Sequence, residues 1–191
     1  MGVIQSTSAA FPKGQRILID TNVLYWLTYA SSRVFPRTLK PRDYQLSEYP
    51  SLFEQLINNE NKLYYSRYSI SELTSIIARV EASLDGKGQE FQRKSWLKND
   101  NGRDIVVKEL EAVIEAIESW ADVLQCFPAL DAKNYLERYS QVYLDGYDIY
   151  IEDEITNNKI GYILTDDIDF TSVPNLNVIT ANRKFSPKLA I

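Results

Sequence analysis

Two short apolar stretches decide the fold of this chain: Arg16-Ile17-Leu18-Ile19, followed by Asp20, and Gly161-Tyr162-Ile163-Leu164-Thr165, followed by Asp166. Each is short and almost continuously apolar, which is typical of strands buried on both faces of a parallel sheet. Parallel strands end along a common edge, and ligand sites in open α/β folds form there. The acidic residues that follow these stretches are therefore expected to lie near one another, where a ligand would bind.

Further along the chain, strand-like segments alternate with amphipathic helices, which predicts an α/β fold with right-handed crossovers. We predict a single three-layer domain over residues 15–191, with helices flanking a central parallel sheet of about four to five strands. Residues 1–14 are predicted to be a poorly ordered lead-in. Residues 31–50, with scattered prolines, and residues 85–102, with Asp-Gly-Lys-Gly and Asn-Asp-Asn-Gly, are predicted to be loop-rich insertions.

The residue types that the chain lacks exclude several classes of catalytic mechanism and metal site. The chain has no histidine, which excludes Ser-His-Asp triads and histidine-based metal sites. Its one cysteine, Cys126, excludes a Cys-rich zinc site and an intramolecular disulfide. The net charge of −5 opposes a polyanionic partner unless a bound metal inverts the local sign. Clustered carboxylates without histidine favour a hard divalent cation.

Four acidic positions are candidates for such a cluster: Asp20, Glu72, Asp148 and the group Asp166, Asp167 and Asp169. Each also has a structural explanation. Asp20 could cap the next helix, and Ser69-x-x-Glu72 matches a capping box in a helix that we predict to begin at Ser69. Asp148 would lie in the first turn of a helix, and the last group could form a turn. Taken together they favour a site, because an Asp directly after a buried strand must leave the core or bind something.

The acids stand in four motifs, in this order: Ile19-Asp20-Thr21-Asn22-Val23-Leu24, Ser71-Glu72-Leu73, Tyr147-Asp148, and Leu164-Thr165-Asp166-Asp167-Ile168-Asp169-Phe170. Together they resemble the motifs of the PIN-domain ribonucleases, which include VapC-type toxins of toxin–antitoxin pairs and PilT N-terminus-like proteins. The long separation of Asp20 from Glu72 and the segment 85–102 depart from the small toxins of this family. The late helix also lacks the usual alanine-rich sequence.

The resemblance implies a PIN-like fold and an endoribonuclease that uses Mg²⁺ or Mn²⁺. The catalytic residues that it implies are Asp20, Glu72, Asp148 and Asp167, and the same four with Asp169 would be the metal ligands. The residues that would orient them are Thr21, Asn22 and Thr165. The metal would lower the pKa of a bound water and orient that water on an RNA phosphodiester, leaving a 5′-phosphate and a 3′-hydroxyl.

RNA also needs cationic contacts. The candidates are Arg33, Arg37, Lys40 and Arg42 in the first insertion, and Arg93, Lys94 and Lys98 with Trp96 in the second. Solvated charged loops would have the same composition.

The partners that the resemblance admits are RNA, an antitoxin protein and a second copy of the chain. Residues 1–10 lack the features of a signal peptide, and no apolar run is long enough to span a membrane, so we predict a cytoplasmic protein without membrane contact.

Three other functions are compatible with parts of this sequence. A non-catalytic PIN-like module that binds RNA or a partner protein is the main alternative. A haloacid-dehalogenase-type phosphatase would need an Asp two residues after Asp20, where Asn22 stands. A receiver domain would need an early acidic pair, which this sequence lacks. The last two are disfavoured.

Overall fold

The protein is described by a computed structural model over residues 2–8, 10–36, 39–99 and 101–184. In these residues six strands and seven α-helices are present. In chain order the elements are β1 (Val3–Gln5), β2 (Arg16–Ile19), α1 (Thr21–Leu27), α2 (Asp43–Asn58), β3 (Lys62–Tyr65), α3 (Arg67–Leu84), α4 (Glu90–Asn99), α5 (Gly102–Glu118), β4 (Asp122–Val123), α6 (Ala132–Tyr139), α7 (Asp148–Asn157), β5 (Tyr162–Leu164) and β6 (Asn177–Thr180). Short 3₁₀ turns lie at Ala30–Ser32 and Ile168–Ser172.

All strand pairs are parallel, and the strands lie in the order β1-β6-β5-β2-β3-β4. From β2 the chain proceeds to β3 and β4 on one side, and it then returns to place β5 and β6 on the other side. The order therefore reverses between β2 and β5. In open α/β sheets this reversal creates a crevice at the carboxyl ends of the strands, where ligands bind.

Helices cover both faces of the sheet because successive strand residues point to opposite sides. Ile17 and Ile19 pack into a cluster with α1 to α5, whereas Leu18 packs into a second cluster with α7 and the segment before it. The prediction of an α/β fold with a central parallel sheet between layers of helices is confirmed. Along the part of the chain that the structure describes, no helix is long and apolar enough to cross a membrane.

The sheet is one strand larger than the upper limit that we predicted. Residues Val3–Gln5, which we expected to be poorly ordered, form the edge strand β1 and pair with Val178, Ile179 and Thr180 of β6. The physical reason is that β6 would otherwise present unpaired backbone groups at the edge of the sheet. The prediction of a disordered lead-in is wrong for these residues.

Helix α2 begins at Asp43 and therefore includes the last eight residues of the segment 31–50 that we predicted to be a loop. Pro50 within α2 weakens the helical pattern in the sequence, because proline normally ends or kinks a helix. The preceding residue explains why the helix continues. Tyr49 is fully buried, and its hydroxyl makes hydrogen bonds at the end of β5, donating to Asp166 Oδ1 at 2.7 Å or to the carbonyl of Thr165 at 3.0 Å.

The second predicted insertion is also largely helical. Helix α4 covers Glu90–Asn99 and buries Trp96, which is 1% exposed. The indole packs against Gly102 at the start of α5, where an added Cβ would lie 2.5 Å from the ring. The preceding Asn101 has a φ of 57°, a left-handed conformation that reverses the chain between the two helices. Trp96 therefore joins α4 to α5 and is not available to stack on RNA, contrary to our prediction.

Candidate metal centre

Asp20 follows β2 and is 3% exposed. Its Oδ1 accepts a hydrogen bond from the backbone N–H of Thr21 at 2.7 Å, so the side chain caps α1 as one reading of the sequence suggested. Its Oδ2 accepts from the hydroxyl of Thr165, also at 2.7 Å. Asp20 is thus both a helix cap and a carboxylate held at the crevice between β2 and β5.

Thr165 connects the ends of these two strands. It is fully buried directly after β5, and its Oγ1 accepts from the backbone N–H of Asp167 at 2.9 Å while donating to Asp20. Asp167 in turn accepts the backbone N–H of Asp169 at 2.8 Å and so begins the 3₁₀ turn. A continuous set of hydrogen bonds therefore connects Asp20, through Thr165, to the turn that begins at Asp167.

Glu72 belongs to the same group, and its structural alternative is ruled out by where α3 begins. The cap of this helix is Ser66, whose hydroxyl accepts from the backbone N–H of Tyr68, so Ser69 and Glu72 do not form the predicted capping box. Instead Glu72 accepts a short hydrogen bond from the hydroxyl of Thr21. This hydroxyl also lies 2.9 Å from Ser69 Oγ. Glu72 therefore faces the crevice in which Asp20 lies.

Asp148 lies in the first turn of α7, as we predicted, and is the first residue of that helix; its backbone N–H donates to the carbonyl of Asp145 at 2.9 Å. Its carboxylate is half-buried, and in the described ranges no group donates a hydrogen bond to it. Burial raises its pKa to about 8, and the nearby carboxylates of Asp20, Glu72, Asp167 and Asp145 add to this increase. A half-buried carboxylate that accepts no hydrogen bond is costly to ionise, and a cation would relieve that cost.

Asp20 and Glu72 respond in the same way. Burial raises the pKa of Asp20 to about 7; the hydrogen bond from Thr165 opposes this, and the charges of Glu72 and Asp167 reinforce it. Burial also raises the pKa of Glu72 above its usual value, and Thr21 partly offsets the effect. These carboxylates thus disfavour one another's charged forms in the absence of a cation.

Asp145 is an acid that the sequence reasoning missed. It is exposed in the loop before α7, and its charge raises the pKa values of Glu72, Asp148 and Asp169. The spacing Asp145-x-x-Asp148 was visible in the sequence, but no periodic pattern marks a loop residue as facing a site. The negative field of the crevice therefore includes at least one carboxylate outside the predicted set.

The acids do not all converge on one point. Among the residues that the structure describes, no group of three or more His, Cys, Asp and Glu side chains is close enough to ligate a single ion. Mg²⁺ commonly keeps several waters and uses one or two carboxylates directly. The carboxylate of Asp148, whose pKa responds to the charges of Asp20 and Glu72, could hold such an ion. The predicted set of five direct ligands is not what the geometry shows.

The other acidic and polar residues of the last and first motifs lie in different surroundings. Asp169 is half-buried on the 3₁₀ turn, and burial together with the charge of Asp167 raises its pKa. Asn22 is exposed in the first turn of α1, and no hydrogen bond of its side chain is present in the described part of the chain. Asp166, which we left out of the site, points away to α2, where Tyr44, Gln45 and Tyr49 donate to its carboxylate.

Several predicted RNA contacts have other partners. Arg33 forms ion pairs with Glu81 and Glu109 and lies over the ring of Tyr29. Lys40 pairs with Asp43 at 2.8 Å. Arg42 is exposed at the start of α2, Lys98 is exposed at the end of α4, and Arg37 lies outside the described residues. Arg93 and Lys94, by contrast, line a groove that α4 forms with α3 and α5.

Comparison with known proteins gives a likeness of fold only. Neither the models of known protein families nor the curated proteins include a match to this chain. Among solved structures, VapBC2 from Rickettsia felis, bound to a DNA fragment from its promoter, matches with a TM-score of 0.47 and 12% identity over 87% of this chain and 98% of the other. FitAcB from Neisseria gonorrhoeae matches with a TM-score of 0.44 and 16% identity, covering 85% and 96% of the two chains. Values this low assign neither a family nor a function.

Proposed function

We propose that this protein is a metal-dependent endoribonuclease of the PIN type. The observation that carries the proposal is the set of mutually repelling carboxylates at the strand-order reversal, centred on the unpaired side chain of Asp148. Their order in the sequence, with the motifs around Asp20 and Asp167, supports the same conclusion. The structural alternative for Glu72 no longer applies, because Ser66 caps the helix.

The residues have distinct tasks in this proposal. Asp20 and Asp148 would hold Mg²⁺ or Mn²⁺, and Glu72, Asp167 and Asp169 would bind its water ligands. When bound, the ion would lower the pKa of a water ligand and stabilise negative charge on the scissile phosphate. Thr165 and Thr21 keep the carboxylates of Asp20 and Glu72 in place through the hydrogen bonds described above.

The test is cleavage of total RNA by the purified protein in Mn²⁺, in Mg²⁺ and in excess chelator. Asp20→Asn and Asp148→Asn should each abolish the metal-dependent cleavage. Asp85→Asn is the matched control, because Asp85 is an exposed acid at the far end of α3. Cleavage that persists unchanged in chelator, or in Asp148→Asn, would overturn the proposal.

One observation favours a second candidate, a non-catalytic PIN-like module that binds RNA or a partner protein. The acids stay too far apart for three of them to ligate one ion in the described structure. Thermal melting distinguishes the two, since a ligand that binds only the folded protein raises the melting temperature. Millimolar Mn²⁺ should raise it if the site is catalytic and leave it unchanged if the module is not. An antitoxin or a second copy of the chain as partner remains a prediction.

A further inference from the structure

Helices α3, α4 and α5 enclose a basic groove of about 590 Å³ on this acidic protein. Four cationic side chains line it, Arg79, Arg93, Lys94 and Arg103, and none of the described residues that line it is acidic. Lys94 pairs with Glu90 on the exposed surface of α4. The other three cations of the groove are arginines, which lie on three different helices of a chain whose net charge is −5. A concentration of cations that runs against the overall charge favours an anionic ligand.

The groove lies beside the carboxylates, as the period of α3 shows. Residues four and seven positions apart share a helix face. Tyr68, Glu72, Ser75 and Arg79 follow this spacing, and Ser75 and Arg79 line the groove. The rise of an α-helix places Arg79 roughly 10 Å along the axis from Glu72. One stripe of α3, half-buried at Glu72 and exposed at Ser75 and Arg79, therefore leads from the candidate metal centre into the groove.

Tyrosines occupy the opposite end of this stripe. The rings of Tyr68 and Tyr147 stack with centroids 6.2 Å apart. Tyr68 lies in α3, the helix that carries Glu72, and Tyr147 directly precedes Asp148 at the start of α7. Tyr150 and Tyr135 continue the array at 5.4 and 5.3 Å, and Tyr139 follows at 6.3 Å. Tyr147 is 46% exposed and Tyr139 is 54% exposed. Exposed aromatic faces beside a phosphodiester site are suited to stacking on unpaired bases.

We propose that the RNA strand is held on both sides of the carboxylates: its phosphates lie in the groove at Arg79, Arg93 and Arg103, and its bases stack on Tyr147 and Tyr139. This inference rests on the proposed function, because it names the residues that bind the substrate of that site. It also makes the preferred substrate single-stranded, since paired bases cannot stack on side chains. The groove exists only because α4 packs on α5 through Trp96, so it depends on the segment that departs from the small family members.

The groove is tested by fluorescence anisotropy with a labelled single-stranded oligoribonucleotide in excess chelator, so that binding is measured without cleavage. The double variant Arg79→Gln/Arg103→Gln should raise Kd by about tenfold, and the slope of log K against log salt should fall by about 0.7 for each arginine. Lys159→Gln is the matched control, because Lys159 is exposed at the opposite edge of the sheet, before β5. Wild-type affinity and slope in the double variant would overturn the phosphate subsite.

The tyrosine subsite is tested with the same oligonucleotide and its duplex. Tyr147→Leu should weaken single-strand binding by about fivefold or more, and Tyr147→Phe should retain the affinity because it keeps the ring. Tyr143→Leu is the control, since Tyr143 is 80% exposed and is not one of the stacked rings. Equal affinity for the duplex, or no effect of Tyr147→Leu, would overturn the base subsite. Binding with the expected pattern but no metal-dependent cleavage would instead refute the proposed nuclease activity alone.

Discussion

The hydroxyl of Thr165 donates to Oδ2 of Asp20 at 2.7 Å, although the two residues are 145 positions apart in the chain. This bond joins the ends of β5 and β2, the two strands between which the strand order reverses. The same hydroxyl accepts the backbone N–H of Asp167. One threonine thus sets the position of two of the predicted catalytic acids.

Thr165→Val should therefore impair both stability and activity while keeping the shape of the side chain. It leaves the N–H of Asp167 without its acceptor and deprives Asp20 of its donor, which we expect to cost about 1–3 kcal/mol. The pKa of Asp20 should rise further, because the lost bond lowers it in the wild type. Urea unfolding and the pH dependence of cleavage measure the two effects. Thr165→Ser, which keeps the hydroxyl, should behave like the wild type; equal loss in both variants would contradict this assignment.

Without metal, the protein should become less stable as the pH rises. The pKa values of Asp20 and Asp148 are raised from 3.8 to about 7 and about 8, so the folded state binds protons that the unfolded chain has released. The free energy of unfolding should then fall between pH 4 and 8 and change little above that range on account of these groups. Thermal melting in chelator across this range measures it. Asp148→Asn should flatten the decline, and Mn²⁺ should restore stability at pH 8. A stability that rises from pH 5 to 8 would contradict the raised values.

Asp145→Asn should weaken metal binding without affecting the fold. The backbone bond from Asp148 to the carbonyl of residue 145 is kept, and only the charge that acts on Glu72 and Asp148 is lost. We expect the Kd for Mn²⁺ to increase about two- to fivefold, in line with a partly solvated charge. Isothermal titration calorimetry measures it, with Asp85→Asn as the control for a remote exposed acid. Equal effects of the two substitutions would exclude a specific role for Asp145.

Tyr49→Phe should destabilise the segments that follow β5 and β6. The Tyr49 hydroxyl is buried, lies 2.7 Å from Asp166 Oδ1 and accepts the backbone N–H of Ala181 at 3.3 Å. Its removal leaves that N–H without this acceptor, at a cost of about 1–3 kcal/mol. Tyr44→Phe is the comparison, since Tyr44 donates to the same carboxylate from a less buried position. The effect of Tyr49→Phe, measured by urea unfolding, should be the larger; the opposite order would contradict this view of α2.

Gly102→Ala should loosen α4. The added Cβ would lie 2.5 Å from the ring of Trp96, which is fully buried and cannot move aside easily. Overpacking of this kind costs about 1–3 kcal/mol. Gly161→Ala is the matched control, because its Cβ would meet nothing within 4 Å. Proteolysis between α4 and α5, together with thermal melting, should distinguish the two variants, and equal stability would show that α4 is only loosely attached.

The sequence by itself determined the α/β class, the strands before Asp20 and after Gly161, and the helix that has Asp148 in its first turn. These features rest on local patterns: apolar runs, helical spacing and an acid directly after a buried strand. Sequence also grouped Asp20, Glu72, Asp148 and Asp167 through their order, but it could not distinguish a capping box from a site residue at Glu72. That choice required the position of Ser66 at the start of α3.

Only the tertiary structure decided which side chains meet. The reversal of strand order brings Thr165 to Asp20, and the packing of α4 on α5 buries Trp96 and collects Arg79, Arg93 and Arg103 in one groove. The fold likewise brings the charge of Asp145 close to Asp148, although Asp145 lies in a loop that has no periodic pattern. Such contacts depend on how separate elements pack, and composition or spacing within one segment carries no information about them. The acids of the candidate site could therefore be recognised in the sequence, whereas the charges and side chains that surround them could not.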